Sequence, residues 1–314
     1  MPLKARNQIK TIKGAGDLSL KADPGESFLV KRILVFAEAA PFLTIKIEKT
    51  TVAYFRVDYS YGNHLMPPTA RSFDFGQTFF YPENLLDLLT RLGIFKGYPV
   101  AEGETILIQG TTLATDFKSV IYDIYDGEDI KATDPNGSKS LEYMLINYGD
   151  TGAIIDTPGD NLYDNPLNPK EFPSFPFGAD VPAKHQITLH GICGSEVYTA
   201  GAGPTLNIHS TYLKLLKDRE VLFDEDRNGL LFDHSKAAPV APGTYYGGGV
   251  SVIGAFSHTD PRPPLIFTEP LLFEAGDELN IYMSVLEPAG ASNIPIINQT
   301  IALIQTIKRL TGAA

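Results

Sequence analysis

Residues 99–108 read PVAEGETILI, and residues 271–281 read LLFEAGDELNI. Each is an apolar lead-in, an Ala and a Glu in either order, a Gly, an acidic residue and an alternating apolar run. Glycine there suits a turn that needs positive φ, and the alternation that follows has the period of a half-buried strand. Each phrase therefore predicts a turn feeding a strand. One copy is ordinary in an all-β protein. Two copies, one late in each half of the chain, predict a duplicated domain.

A second pair of stretches points the same way. PFLTIKI at 41–47 matches PTLNIHS at 204–210 through Pro41/Pro204, Leu43/Leu206, Thr44/Asn207 and Ile45/Ile208, an offset of 163 residues. The offset between Gly103 and Gly276 is 173. Two matches in the same order at nearly the same offset are expected from tandem copies of one fold. The remaining sequence fits: FLVKRILVFAEA, TVAYFRVDY, DFKSVIYDIY, SLEYMLINYG, HQITLHGICGSEV and TIALIQTIKRL all read as strands. Residues 82–93, PENLLDLLTRLG, are the exception. Leu85, Leu88, Leu89 and Leu92 fall at helical spacing, with Pro82 suited to a first turn and Gly93 to a stop.

The fold class expected is thus all-β: two tandem jelly-roll, or Greek-key β-sandwich, domains with one helix inserted in the first. A propeller needs more and shorter repeats. An α/β fold needs helices between its strands. The boundaries expected are a basic N-terminal arm over 1–24, a first sandwich over 25–150, an ordered Pro-rich linker over 151–183 and a second sandwich over 184–314. The linker is crowded with Pro, Asn, Asp and Gly, and Phe172, Phe175 and Phe177 are its expected anchors.

At 314 residues the chain has room for two cores. A single cysteine, Cys193, excludes an intrachain disulfide. The opening MPLKARNQIKTIKGAG lacks the apolar stretch of a signal peptide, and no run reaches the length of a membrane span, so a chain kept inside a cell is expected. A net charge of −11 argues against a protein that coats nucleic acid. The charge is uneven, however. Residues 1–13 carry Lys4, Arg6, Lys10 and Lys13 and no acid. They read either as a solvated terminus or as an arm that lies on an anionic surface, lipid headgroups or nucleic acid.

Motifs for chemistry are sparse. DEDRNG at 224–229 opens like an EF-hand, with Asp224, Asp226 and Asn228 as a weak calcium set, but position twelve is Ser235 and the flanks read as strands. A hairpin turn accounts for the same residues. DGEDI at 126–130 reads as a solvated acidic turn. Histidines 64, 185, 190, 209, 234 and 258 form no metal-binding spacing. Gly247–Gly249 lacks the Lys of a phosphate loop, and Ser195 lacks a nucleophile elbow. No catalytic residue, metal site or cofactor is expected, and a binding or structural protein is favoured over an enzyme.

Taken together, the repeated PxL[TN]I and Gly-acidic phrases, the helix PENLLDLLTRLG, the basic start and the long loops resemble the double jelly-roll major capsid proteins of tailless icosahedral viruses. That group includes coat proteins of membrane-containing bacteriophages and adenovirus hexon. Many members carry a helix in both barrels, whereas only one is visible here. The resemblance implies a structural virion protein: a homotrimer of pseudo-hexagonal outline, contacting neighbouring capsomers and minor capsid or vertex proteins in an icosahedral shell. It implies assembly in the host cytoplasm, the N-terminal arm against an internal lipid membrane, and no sequence-specific nucleic acid. Loops 59–70 and 236–249 would build inter-subunit contacts.

Two rival readings stand beside it. One is a carbohydrate- or protein-binding two-domain β-sandwich, a lectin or phage adhesion protein, using Tyr245, Tyr246 and the 224–229 turn. The other is a glycosidase or amidase with paired carboxylates, for which Glu102, Asp277 and Glu278 qualify by residue type alone. Because both repeats put these acids beside a turn, turn chemistry is their expected role.

Overall fold

The computed structural model describes residues 3–36, 42–57, 65, 70–72, 78–80, 84–110, 113–114, 116–130, 140–152, 159–193, 198–199, 211–224, 264–285, 296–297 and 300–310. It is nearly all β, and every strand pairing described is antiparallel. The chain divides into two units, one built mainly from Met1–Leu145 and one mainly from Ile146–Arg309.

The first unit holds β1 (Leu3–Lys13), β2 (Leu18–Lys21), β3 (Glu26–Phe36), β4 (Phe42–Ile47), β5 (Thr50–Arg56), β6 (Ala70–Ser72), β7 (Thr78–Phe80), α1 (Leu85–Arg91), β8 (Tyr98–Val100), β9 (Thr105–Gln109) and β10 (Phe117–Asp126). Its two main sheets run β1-β10-β3-β8 and β2-β9-β4-β5. The alternation read from the sequence decides what each strand buries. In β4, Leu43, Ile45 and Ile47 turn inward, and Phe42, Thr44 and Lys46 are half-buried on the other face. Val30, Ile33, Val35, Ile106, Ile108 and Val120 complete the core. Full burial of each such side chain contributes about 1.5–3 kcal/mol.

The second unit holds β11 (Ser140–Asp150, which crosses the unit boundary), β12 (Gly159–Leu162), β13 (Asn165–Pro166), β14 (His185–Cys193), β15 (Tyr198–Thr199), β16 (Thr211–Lys217), β17 (Glu220–Asp224), β18 (Leu265–Phe273), β19 (Leu279–Val285), β20 (Ile296–Ile297) and β21 (Ile301–Leu310). Its two main sheets run β13-β11-β21-β14-β18 and β12-β19-β16-β17, and β15 pairs with β20 in a separate two-stranded sheet. Replacing β1, β2, β3, β4, β5, β8, β9 and β10 by β11, β12, β14, β16, β17, β18, β19 and β21 turns one strand order into the other. Within these main sheets, among the described residues, the second unit adds β13 at an edge.

The repeated phrases sit at the same node in each unit. In the first, Gly103 N–H donates to Ala22 O (3.0 Å), Ala22 N–H to Glu104 O (2.9 Å) and Glu104 N–H to Ala101 O (3.0 Å), while Ala101 N–H reaches Glu104 Oε2 (2.9 Å). In the second, Gly276 donates to Val181 O (2.9 Å), Val181 to Asp277 O (3.0 Å) and Asp277 to Glu274 O (3.0 Å), while Glu274 N–H reaches Asp277 Oδ2 (2.9 Å). Both glycines have positive φ, 81° and 90°. The next residue extends the match. Thr105 N–H donates to Glu48 Oε1 (2.6 Å) and Glu278 N–H to Asp218 Oδ1 (3.0 Å), and each acid returns its own N–H to the carbonyl of that residue.

This circuit corrects the second repeat read from the sequence. Residues 204–210 lie outside the described residues. The place of β4 in the second unit is taken by β16, with Glu48 matched to Asp218, an offset of 170. Phe42-Leu43-Thr44-Ile45-Lys46-Ile47-Glu48 thus corresponds to Tyr212-Leu213-Lys214-Leu215-Leu216-Lys217-Asp218.

The helix forms where its spacing predicts. Asn84 is the N-cap, its side chain accepting from Asp87 N–H (3.1 Å) while Asp87 Oδ2 accepts from Asn84 N–H (3.3 Å), a capping box. Gly93 follows the C-cap with φ 75°. Leu85, Leu86 and Leu89 are buried, whereas Leu92 is half exposed, so the inward stripe is narrower than the sequence pattern.

Residues 159–183, expected as part of a linker, lie within the second unit. Phe172, Phe175 and Phe177 are buried, and the Phe175 ring lies 5.0 Å from that of Phe273. Asn147 of β11 fixes this segment by donating to Phe175 O (2.7 Å). The Phe177 ring occupies the space a side chain at Gly149 would need.

Candidate functional site: the basic edge strand

The four basic residues of the N-terminus lie on β1, at the open end of a sheet. β1 pairs on one side with β10 from Leu3↔Tyr125 to Lys13↔Phe117. On its other side no strand follows among the described residues. Edge strands are commonly protected by lysines and bulges, and β1 has both. The ladder shifts register between Leu3 and Ala5 and again between Ala5 and Gln8, and Asn7 adopts φ 51°.

From Lys4 to Lys13 only Ala5 and Ile12 are partly covered, and Ile9 is 66% exposed. Lys4 Nζ pairs with Asp126 (2.9 Å) and also donates to Gly25 O (2.5 Å). Thr11 Oγ1 and Ser119 Oγ are hydrogen-bonded at 2.6 Å, which places both on one face of the sheet. Beneath the bulge lies Asp123, 2% exposed. Its Oδ1 accepts the Asn7 N–H (2.9 Å), and its Oδ2 meets Lys31 Nζ. Burial pushes this carboxyl up. The hydrogen bonds from Lys31 and Asn7, with the charges of Lys31 and Arg6, outweigh that and hold it below the usual carboxylate range.

The other candidates read from the sequence separate from this edge. Asp224 ends β17, and Asp226 and Asn228 lie outside the described residues. So do Tyr245, Tyr246, Ser195, Gly247–Gly249, residues 236–249, and His64, His209, His234 and His258. Among the described residues no three His, Cys, Asp or Glu side chains are grouped to hold a metal ion. No described helix is long and apolar enough to cross a membrane. Cys193 is buried and free, and burial pushes its thiol well above the usual range.

Glu102 is bound to its turn: Oε1 accepts Gly25 N–H (2.7 Å), and its carboxylate fills the space a side chain at Gly127 would need. Asp277 closes the second turn and pairs with Lys217 (3.1 Å). The Glu274 N–H holds the Asp277 carboxyl low, burial opposes this, and Lys217 adds to the lowering. Glu278 meets Asn280 Nδ2 (2.5 Å). The geometry thus accounts for these acids as turn residues.

Sequence reasoning missed Asp123. Its signal was a single acid inside the apolar alternation of SVIYDIY. It also missed Lys118, which is buried and donates to Gly16 O near Asp17 and Asp116. Burial lowers the Lys118 pKa, and the two acids oppose that.

No family model matches the sequence, and a search of curated proteins finds no match. Solved structures do align. One titled N-glycanase F (PNGase F) is similar at 9% identity and a TM-score of 0.30, over 100% of this chain and 94% of its own. PNGase F, a glycosylasparaginase from Flavobacterium meningosepticum, aligns at 10% and 0.31, over 100% and 94%. A peptide-N(4)-(N-acetyl-beta-D-glucosaminyl) asparagine amidase aligns at 11% and 0.29, over 100% and 95%. These matches overturn the expectation of a non-enzymatic structural coat protein of a bacteriophage or other icosahedral virus: all three are enzymes by name and none is a capsid protein. With TM-scores near 0.3, no substrate or residue role is carried over from them.

Proposed function

We propose that each unit is a jelly roll and that the chain binds an anionic membrane surface through the basic edge of the first. The strand orders support the first part. Counting the eight main strands of each unit, sheet order is 1-8-3-6 and 2-7-4-5 in both, the pattern of paired Greek keys.

The observation that carries the binding reading is the exposure of β1 beside its counterpart. β11 occupies the same place in the second unit, next to the last strand. There Leu145, Ile146, Asn147 and Tyr148 are all buried, and β13 covers part of the edge. The fold accepts apolar residues at this position. β1 instead presents Arg6, Lys10 and Lys13 around an exposed Ile9. Cations flanking an exposed aliphatic side chain fit a lipid interface better than a nucleic-acid backbone.

Magnitudes favour a weak, reversible contact. Each Lys or Arg near an anionic leaflet contributes about 1 kcal/mol, so three give about 3 kcal/mol. The net charge of −11 opposes approach at long range. At about 0.15 M salt that repulsion is screened beyond about 8 Å, while cations in contact still act. Binding should therefore peak at intermediate salt. Co-sedimentation of the full chain with phosphatidylserine-containing and pure phosphatidylcholine vesicles across a salt series tests this. Selective binding to the anionic vesicles supports the reading, and equal or absent binding at every salt concentration overturns it. Removing residues 1–13 is the poorer test, since it would strip β1 from β10.

A further inference from the structure

The β1 bulge redistributes the cations between the two faces of the strand. From Gln8 to Lys13 the pairing with β10 is regular, so the Thr11–Ser119 bond fixes the faces. Ile9, Thr11 and Lys13 share the outer face with Ser119 and Ile121. Lys10 and Ile12 lie toward the core face with Val120 and Lys118, both buried. In an unbroken strand, Arg6 would fall on the Lys10 side. The ladder, however, passes from Gln8↔Tyr122 to Ala5↔Ile124, which leaves Arg6 and Asn7 together opposite Asp123. Two residues facing one is the mark of a bulge, and it shifts the alternation by one.

Asp123 lies on the outer face, in step with Ser119 and Ile121. Its carboxylate takes the Asn7 N–H at the left-handed turn of the bulge. The charge of Arg6 also acts on it, and Lys31 of β3 completes the charged groups around it. An Asn at φ 51° costs little, so one well-placed acceptor can hold the conformation.

We propose that Asp123 is a positioning residue for surface binding: by holding the Asn7 bulge, it brings Arg6 onto the same face as Ile9 and Lys13. The claim rests on the anionic-surface reading above and specifies which face makes the contact. Arg6, Ile9 and Lys13 then form a cation–aliphatic–cation row, with Lys10 turned away from it.

The test uses the full chain with two changes. Asn7→Val leaves net charge unchanged and places a β-branched residue that resists φ 51° at the bulge, which favours the unbroken strand with Arg6 on the Lys10 side. Asp123→Asn keeps the shape but removes the charge that holds Lys31 and Arg6. Affinity for phosphatidylserine vesicles should fall about fivefold in each, as expected for one cation lost from the contact face. Lys10→Glu should weaken binding less than Lys13→Glu. Amide hydrogen exchange, read without vesicles, should show faster exchange at Asn7 in Asp123→Asn, with residues 9–13 unchanged. Wild-type affinity in Asn7→Val would overturn the proposal. So would an Asn7 amide as protected in Asp123→Asn as in the wild type. A wild-type chain that ignores the vesicles would instead sink the binding reading and with it the role of the row, while exchange at Asn7 would still report whether Asp123 holds the bulge.

Discussion

β1 and β11 hold the same position in two sandwiches of the same strand order, and their chemistry is opposite. β11 is buried on both faces from Met144 to Gly149, mostly through apolar side chains, and is followed at its edge by β13. β1 is basic, exposed along nearly its whole length, and broken by two register shifts. Sheet topology therefore does not dictate the composition of this strand. What each copy packs against does. The Phe172–Phe177 segment fills the space beside β11, so a charge there would be buried without a partner. No strand among the described residues follows β1 and its side chains are exposed, so charge is tolerated and the edge is open to a ligand.

The most severe way to break this comparison is to exchange the chemistry. Ile146→Lys in β11 should cost about 4 kcal/mol or more, because an unpaired ammonium would enter a buried site. Ile9→Lys in β1 should change stability by no more than about 0.5 kcal/mol. Chemical denaturation of both variants measures the contrast. Similar losses at the two positions would mean that β1 is packed as β11 is.

A milder perturbation tests what the units share. Gly103→Ala and Gly276→Ala add a methyl group into open space, with nothing within 4 Å, so only the positive φ is penalised. Each should cost about 1–2 kcal/mol, and by nearly the same amount. Unequal losses, read from denaturation midpoints, would show that the turns are alike in form and not in stress.

The smallest effect concerns pH. The Asp123 and Asp277 carboxyls sit below their ordinary value in the folded chain. Their contribution is therefore present above the unfolded value near about 4 and is lost as pH falls through the folded values. Asp277→Asn should cost about 1 kcal/mol at neutral pH and progressively less in acid. A cost that stays constant down to pH 2 would show that the charge of Asp277 contributes nothing.

Much of the fold was legible because it is written in short-range pattern. The Gly-acidic phrases encode a turn whose hydrogen bonds are local, and both copies close it identically. The helix carries its own cap at Asn84 and stop at Gly93. The β4 repeat was misaligned because Pro and Leu recur cheaply in β-rich sequence. The informative residues were the acids Glu48 and Asp218, whose partners Thr105 and Glu278 lie more than fifty residues away. The site was half legible. Charge counting found Lys4, Arg6, Lys10 and Lys13, but not that they lie on a strand paired with β10. Asp123 meets Asn7 across a separation of 116 residues, which no local pattern records. The function expected from resemblance failed for a related reason, since architecture is shared by proteins that do unrelated things.

The most direct test of the account reverses the charge of the edge. Arg6→Glu/Lys13→Glu is compared with Lys21→Glu/Lys170→Glu, an equal charge change at exposed sites off β1. Affinity for phosphatidylserine vesicles is measured for both and for the wild type. At about 1 kcal/mol per cation, the β1 variant should lose at least about thirtyfold and the control a small factor. Equal losses in the two would trace binding to net charge alone and contradict a site on β1.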